Sequence, residues 1–242
     1  MIEDEYLKGL KANRDNFHQY YSKSIENKTE QQKLLEKLLE DKGEFAHIAD
    51  LACGYGTVSF HLSKLYPGSH FYLADYNEEA LGKARLQNPS ANFSFYMESI
   101  YDLSFQDNFF DLVVCWQTLS FIDKPQIAMR EMIRITKPGG RIFVSSLFNK
   151  NFDVDLYTKA FDYTTNAGRQ GIGFSYNTYS QFSINQWIKG LVSEYEIIDF
   201  IPEIDFVYDG RGVGTFTINS ENKRLQISAN MLMNWGILSI VK

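Results

Sequence analysis

Asp50, Gly54, Gly56 and Asp75 are the residues whose types and spacing most directly suggest chemistry. Gly54-Tyr55-Gly56 follows the apolar run Phe45 to Ala52 and precedes an amphipathic stretch from about Thr57 to Leu65. A glycine pair between a strand and a helix brings backbone N–H groups to the carboxyl edge of a parallel sheet, where ligands bind. A dinucleotide fingerprint, G-x-G-x-x-G, needs a third glycine, and Ser59 stands at that position. Asp50 precedes the loop, where its charge would repel a pyrophosphate and favour an ammonium. Asp75 lies about 20 residues beyond the glycines, the place from which a carboxylate accepts both ribose hydroxyls. Its alternative role is to cap the helix that opens at Asn77. The loop suits a zwitterion joined to a nucleoside better than a dinucleotide.

These residues need strands to present them, and the hydrophobic pattern supplies them. From Ala46 onward, short apolar runs alternate with amphipathic stretches, as in βαβ units. Strands are predicted at Phe45–Ala52, His70–Ala74, Asn92–Met97, Phe110–Cys115 and Arg141–Leu147. The helices are Thr57–Leu65, one opening at Asn77, and Asp123–Ile135, which Lys137-Pro138-Gly139-Gly140 ends. Upstream, Leu34, Leu35, Leu38 and Leu39 mark a helix within Lys28–Lys42, part of a helical lid over residues 1–45. After Leu147 the rhythm breaks, and residues 148–182 read as a cap inserted over the sheet. Ser183 is placed to cap a short helix holding Trp187, and Tyr195–Phe200 reads as a sixth strand. Thr215–Ile218 and Leu225–Ser228 read as a hairpin, and Trp235–Val241 as the closing strand of a single domain, 1–242.

The run Ile48 to Gly56 resembles motif I of the class I S-adenosylmethionine-dependent methyltransferases. Phe110-Asp111-Leu112-Val113-Val114 resembles their fourth-strand motif, and Ile135 to Gly140 the motif before strand five. The three stand in family order across about Ala46 to Ser146, and the subtype is similar to the small-molecule group that includes quinone-biosynthesis enzymes. The resemblance implies an α/β fold: a doubly wound, mostly parallel seven-stranded sheet of Rossmann-like type, its last strand antiparallel, with an inserted cap. It implies S-adenosylmethionine as cofactor, S-adenosylhomocysteine as product, and no metal. Asp50, Ala52, Gly54 and Gly56 would surround the methionine part, Asp75 the ribose, and Tyr76 the adenine. Ala52 stands where the family has its first motif glycine. Ser99 with the Ile100 backbone aligns with the position that meets the adenine amino group, with Glu98 and Asp102 as alternatives. Cys115, Trp116 and Gln117 would lie beside the methionine, and Tyr20 and Tyr21 could close over its carboxylate.

In-line methyl transfer needs alignment and desolvation, and a hydroxyl acceptor usually also needs a base. Relatives often carry a histidine after strand four; here that stretch is Gln117-Thr118-Leu119-Ser120-Phe121. His47, His61 and His70 fall on scaffold elements; the resemblance singles out His18 as a candidate base, because the family's N-terminal segment commonly covers the cofactor, with an exposed helix histidine as the alternative. Phe121, Arg169, Tyr176, Tyr179, Arg211 and Trp235 are acceptor-pocket candidates by position. An Arg there could clamp a phosphate or carboxylate, as in a nucleotide-linked sugar.

Composition narrows the function classes. Of 242 residues, 44% are apolar and 15% aromatic, enough for a sizeable core with aromatic rings left to line a pocket. A net charge of −6 and no long basic run argue against a broad grip on nucleic acid. The acidic start lacks a signal-peptide core, and no run approaches the ~18 apolar residues of a membrane helix. Cys53 and Cys115 form neither a disulfide framework nor a zinc site, so a reducing cytoplasm is expected. The expected function is transfer of a methyl group to oxygen or nitrogen of a small molecule, with oligomeric state open. The rival readings are an RNA-modifying methyltransferase, signalled by a basic patch around Arg130, Arg134, Lys137 and Arg141, and a non-catalytic cofactor-binding protein.

Overall fold

A computed structural model describes residues 21–150, 153–162, 172–200, 207–212, 215–220, 223–228 and 235–242. Its main sheet runs in the order β3-β2-β1-β4-β5-β12-β8. The strands are β1 (His47–Leu51), β2 (His70–Asp75), β3 (Phe93–Met97), β4 (Phe110–Trp116), β5 (Thr136–Asn149), β8 (Glu194–Asp199) and β12 (Trp235–Val241). β1 to β5 pair in parallel, whereas β12 is antiparallel to both β5 and β8. The chain steps outward from β1 to β2 and β3, then returns to β4 on the other side of β1. That reversal is the topological switch point of a doubly wound sheet, and the glycine loop leaves the end of β1 beside it.

Alternation along the strands explains why the sheet is covered on both faces. On β1, Ile48 packs into the layer of α1 (Glu30–Leu39), α2 (Thr57–Leu65) and α3 (Glu78–Gln87), while Ala49 and Leu51 face the other layer. On β4, Leu112 and Val114 join the first layer, and Val113 and Cys115 the second, with α4 (Pro125–Ile135) and α5 (Gln181–Ile188). Such strands carry apolar residues in unbroken runs, as parallel strands buried on both faces do. Leu35 and Leu39, 1% and 2% exposed, fix α1 to the sheet at about 2 kcal/mol of burial each. A capping box between Thr29 and Gln32 sets where α1 begins.

Several boundaries differ from the sequence pattern. β5 starts at Thr136, since Phe110 pairs with Thr136 before a register shift restarts the ladder at Leu112 and Arg141. The helix after residue 180 is capped by Ser180, whose hydroxyl accepts from the Ser183 N–H, so Ser183 is a first-turn residue and not the cap. The expected irregular stretch 148–182 contains an antiparallel hairpin, β6 (Leu156–Asp162) with β7 (Ile172–Ser180), and β7 joins the main sheet through Phe148–Tyr179 and Asn149–Ser180. With these two strands the sheet has nine. Asn177 to Ser180 are buried on both faces of β7, which removes the two-residue period that would have marked a strand. The predicted hairpin is present, with Thr215 opposite Ser228 and Ile218 opposite Leu225. It belongs to a three-stranded sheet of β9 (Val207–Gly212), β10 (Thr215–Ser220) and β11 (Lys223–Ser228). Among the described residues, no helix is long and apolar enough to cross a membrane.

Candidate active site

The loop after β1 is built from left-handed backbone. Ala52, Gly54 and Gly56 have φ of +51°, +55° and +68°. A side chain on Gly56 would meet Asn88 Nδ2 at 2.6 Å and Leu73 Cδ2 at 2.8 Å, so this glycine lets the start of α2 lie against α3. A Cβ on Gly54 would meet the Tyr21 hydroxyl at 2.8 Å. Tyr21 also stacks on Tyr55, ring centroids 4.4 Å apart, so the Tyr21 ring lies directly on the loop.

Asp75 ties this loop to the next strand. Its Oδ2 accepts the Gly54 N–H at 2.8 Å and its Oδ1 the Asn77 N–H at 2.7 Å. Asn77, not Asp75, caps α3, accepting from the N–H groups of Glu79 and Ala80. The carboxylate keeps acceptor capacity for a ligand hydroxyl. Burial raises the Asp75 pKa, opposed by the N–H groups of Asn77, Gly54 and Tyr76. Asp50 is 1% exposed, and its Oδ2 accepts from Ser59 Oγ at 2.7 Å. Burial raises the Asp50 carboxyl to about 7 against the Ser59 hydrogen bonds, with a smaller push from the Asp75 charge. Asp50 Oδ1 has no partner, an orphan acceptor of the kind that calls for a ligand or a bound water.

At the end of β4, Cys115 is wholly buried, and Gln117 takes φ +53°, a left-handed geometry that costs a non-glycine residue about 1 kcal/mol or more. The Gln117 N–H donates to Ser145 O at 2.9 Å, and its side-chain Nε2 to Gln31 Oε1 at 2.8 Å. Trp116 Nε1 is buried without a partner, a second orphan at this edge. Burial pushes the Cys115 thiol up to about 12, and the Cys53 thiol well above its ordinary value. Burial thus disfavours the reactive thiolate at both cysteines.

The remaining expected residues fall into distinct places. Ser99 turns the chain after β3, accepting from Asp102 N through its carbonyl and from Tyr101 N through its hydroxyl, and Ile100 is buried. Glu98 is held by the Ser104 N–H and hydroxyl. Tyr76 is exposed next to Asp75. Phe121 meets Tyr176 edge-on at 4.8 Å, joining the post-β4 turn to β7. Tyr179 is fully buried against Trp187 with its hydroxyl accepting from Asn177 Nδ2 at 3.2 Å; burial drives its pKa up, and it lines a cleft beside the β6–β7 hairpin. Trp235 opens β12 opposite Leu147, and Arg211 lies on β9 in register with Phe216. His18, Tyr20 and Arg169 lie outside the described residues. The other histidines serve the scaffold: His47 stacks on Phe109, His70 bonds Ser94, and His61 bonds the Ser24 carbonyl at 2.7 Å.

A cleft of about 510 Å³ opens between the β6–β7 hairpin, the start of α4 and α5, with Asp123, Tyr157, Lys159, Asn177 and Trp187 among its lining. None of its lining residues belongs to the glycine loop. Among the described residues, no three His, Cys, Asp or Glu side chains group to hold a metal. Three contributors were not anticipated from sequence: Ser59, Gln31 and Ser145. Gln31 had a legible signal, since it stands four residues before Leu35 and eight before Leu39 on the buried stripe of α1.

The strand order, the antiparallel β12 and a glycine loop at the switch point define a Rossmann-like methyltransferase fold. Residues 49–144 match the model of the methyltransferase domain family. It is 31% identical over 105 residues to a demethylmenaquinone methyltransferase of Chlamydia trachomatis, covering 43% of this chain and 46% of that protein. It is 28% identical over 164 residues to a ubiquinone biosynthesis O-methyltransferase of Coxiella burnetii, covering 65% and 66%. The chain therefore spans about half to two thirds of the curated relatives it matches. A methyltransferase in complex with the Trm112 activator of Haloferax volcanii shares the fold, with TM-score 0.59 and 17% identity over 94% of this chain and 96% of that one.

Proposed function

We propose that the protein binds S-adenosylmethionine along the ends of β1, β2 and β4 and methylates oxygen or nitrogen of a small organic molecule. The observation that carries this reading is Asp75, whose two oxygens join Gly54 of the loop to Asn77 while keeping acceptor capacity for ribose hydroxyls. The orphaned Asp50 Oδ1 and Trp116 Nε1 fit a zwitterionic methionine end, as acceptor and donor, directly or through water. Tyr21, pressed on Gly54, belongs to a segment that would cover that end, with Tyr20 beside it in sequence. Ser99 and the Ile100 backbone would flank the adenine with Tyr76. When bound, the cofactor supplies a sulfonium methyl group for in-line displacement.

The chain's own residues would then orient and desolvate. The N-terminal segment excludes water from the loop, and Gln117 fixes the edge of β4 nearest the acceptor. His18 is the proposed base, carried by the same segment as Tyr21. Residues 148–182 would form a cap, with Phe121 and Tyr176 as its contact on the post-β4 turn and Arg169, Arg211 and Trp235 as further acceptor contacts. Against an RNA substrate, two of the four cations of the expected basic patch are paired: Arg134 with Glu131 and Asp107, and Lys137 with Asp111.

The test is a calorimetric titration with S-adenosylhomocysteine beside NAD, where heat from the first alone is expected and heat from NAD alone would sink the reading. Labelled methyl transfer to a panel of phenolic quinone precursors and nucleotide-linked sugars then separates acceptor classes.

A further inference from the structure

Gln31 occupies an apolar position. It shares the buried stripe of α1 with Leu35 and Leu39 and is itself 7% exposed, where a hydrophobic side chain would be the ordinary choice. A buried amide carries a desolvation cost unless it is hydrogen-bonded. Gln31 Oε1 accepts from Gln117 Nε2 at 2.8 Å and from the wholly buried Ser145 Oγ at 3.4 Å. The Gln117 N–H in turn reaches the Ser145 carbonyl at 2.9 Å. The three residues form a closed polar triangle that joins α1, the end of β4 and β5 at one point.

That point holds a strained residue. Gln117 keeps a left-handed backbone, φ +53°, without being glycine, and such geometry persists only where its surroundings over-determine it. Among its contacts are the main-chain bond to β5 and the side-chain bond to Gln31. A hydrophobic residue at 31 would remove the side-chain bond between Gln117 and α1. The capping box at Thr29 and Gln32 fixes the first turn of α1, and with it the place from which Gln31 reaches inward.

We propose that Gln31 is a positioning residue: it holds Gln117 in its left-handed conformation at the edge of β4 and so sets the cofactor-binding edge from α1. This rests on the methyltransferase reading above. Gln31 need not touch cofactor or acceptor; it acts through Gln117 and Ser145.

The full chain is compared with Gln31→Leu and Gln31→Glu, the second keeping the acceptor oxygen. In Gln31→Leu the affinity for S-adenosylhomocysteine, read by calorimetry, is expected to fall about tenfold, the worth of one well-placed buried hydrogen bond. The melting temperature of the ligand-free protein should stay near that of the parent, and Gln31→Glu should recover most of the affinity. Amide exchange in the ligand-free protein gives a second readout: Gln117 N–H should exchange faster in Gln31→Leu, with Leu35 and Leu39 unchanged. Unchanged affinity together with unchanged exchange at Gln117 overturns the proposal. So does a drop in melting temperature that accounts for the whole affinity loss. If the parent protein itself fails to bind S-adenosylhomocysteine, the methyltransferase reading falls, a result distinguishable from parent binding that Gln31→Leu leaves intact.

Discussion

The ends of β1 and β2 and the β6–β7 hairpin both present polar and aromatic groups, but they are built differently. At the first, function is written into the main chain: three left-handed residues, two glycines that admit Tyr21 and Asn88, and a carboxylate receiving N–H groups. At the hairpin, side chains are positioned by packing, with Tyr179 locked against Trp187 and Phe121 meeting Tyr176. A site made of backbone tolerates few residue types at a few positions, whereas one made of packed side chains can be rebuilt with others. Under the proposed function, a methyl donor common to many enzymes would use the first kind of construction, and an acceptor particular to one enzyme the second.

Substitutions can break or sharpen that contrast. The largest effect is expected from Asp75→Ala, which removes the acceptor of two main-chain N–H groups and of the proposed ribose contacts. Affinity for S-adenosylhomocysteine should fall about 100-fold or more by calorimetry, and an unchanged constant would remove Asp75 from the site. Gly56→Ala places a Cβ against Asn88 and Leu73 in left-handed backbone, so chemical denaturation should show a loss of about 2 kcal/mol. A midpoint equal to the parent's would mean that α2 and α3 can separate freely.

A smaller effect tests Asp50. Its pKa is raised to about 7, so the folded protein favours the neutral acid. Relative to an unfolded Asp, this contribution is fully present below about pH 4 and is lost as pH rises through about 7. An ammonium prefers the ionised form, so binding should strengthen roughly tenfold between about pH 6 and about pH 8, with proton release. Asp50→Asn should flatten that slope; an equal slope in the variant would assign the titration elsewhere. The smallest effect belongs to the hairpin. Tyr179→Phe strips the acceptor from Asn177 Nδ2 and should cost about 1 kcal/mol of stability while leaving cofactor affinity unchanged. Altered affinity would mean that the two regions are coupled.

The two regions also differ in how far the sequence revealed them. The order of β1 to β5, the place of α2, α3 and α4, and the pairing of Thr215–Ile218 with Leu225–Ser228 follow from local periodicity and turn chemistry. Asp50, Gly54, Gly56 and Asp75 were legible because backbone geometry and charge restrict which residues can occupy such a loop. The hairpin was not, because Asn177 to Ser180 are buried on both faces and carry no alternation. Tyr179 is expected in the acceptor pocket from position alone; it is buried against Trp187 and lines the cleft beside the hairpin.

What the sequence determined by itself was the sheet's first five strands and the glycine loop after β1, since both depend on residues near one another in the chain. Only the tertiary structure decided which distant groups complete that edge. Ser59 turns back onto Asp50, Tyr21 lies on Gly54, and Gln31 meets Gln117 and Ser145 across 86 and 114 residues of chain. Side-chain hydrogen bonds of that reach leave no period in the sequence, because a buried amide reveals its partner only when folding brings the two together.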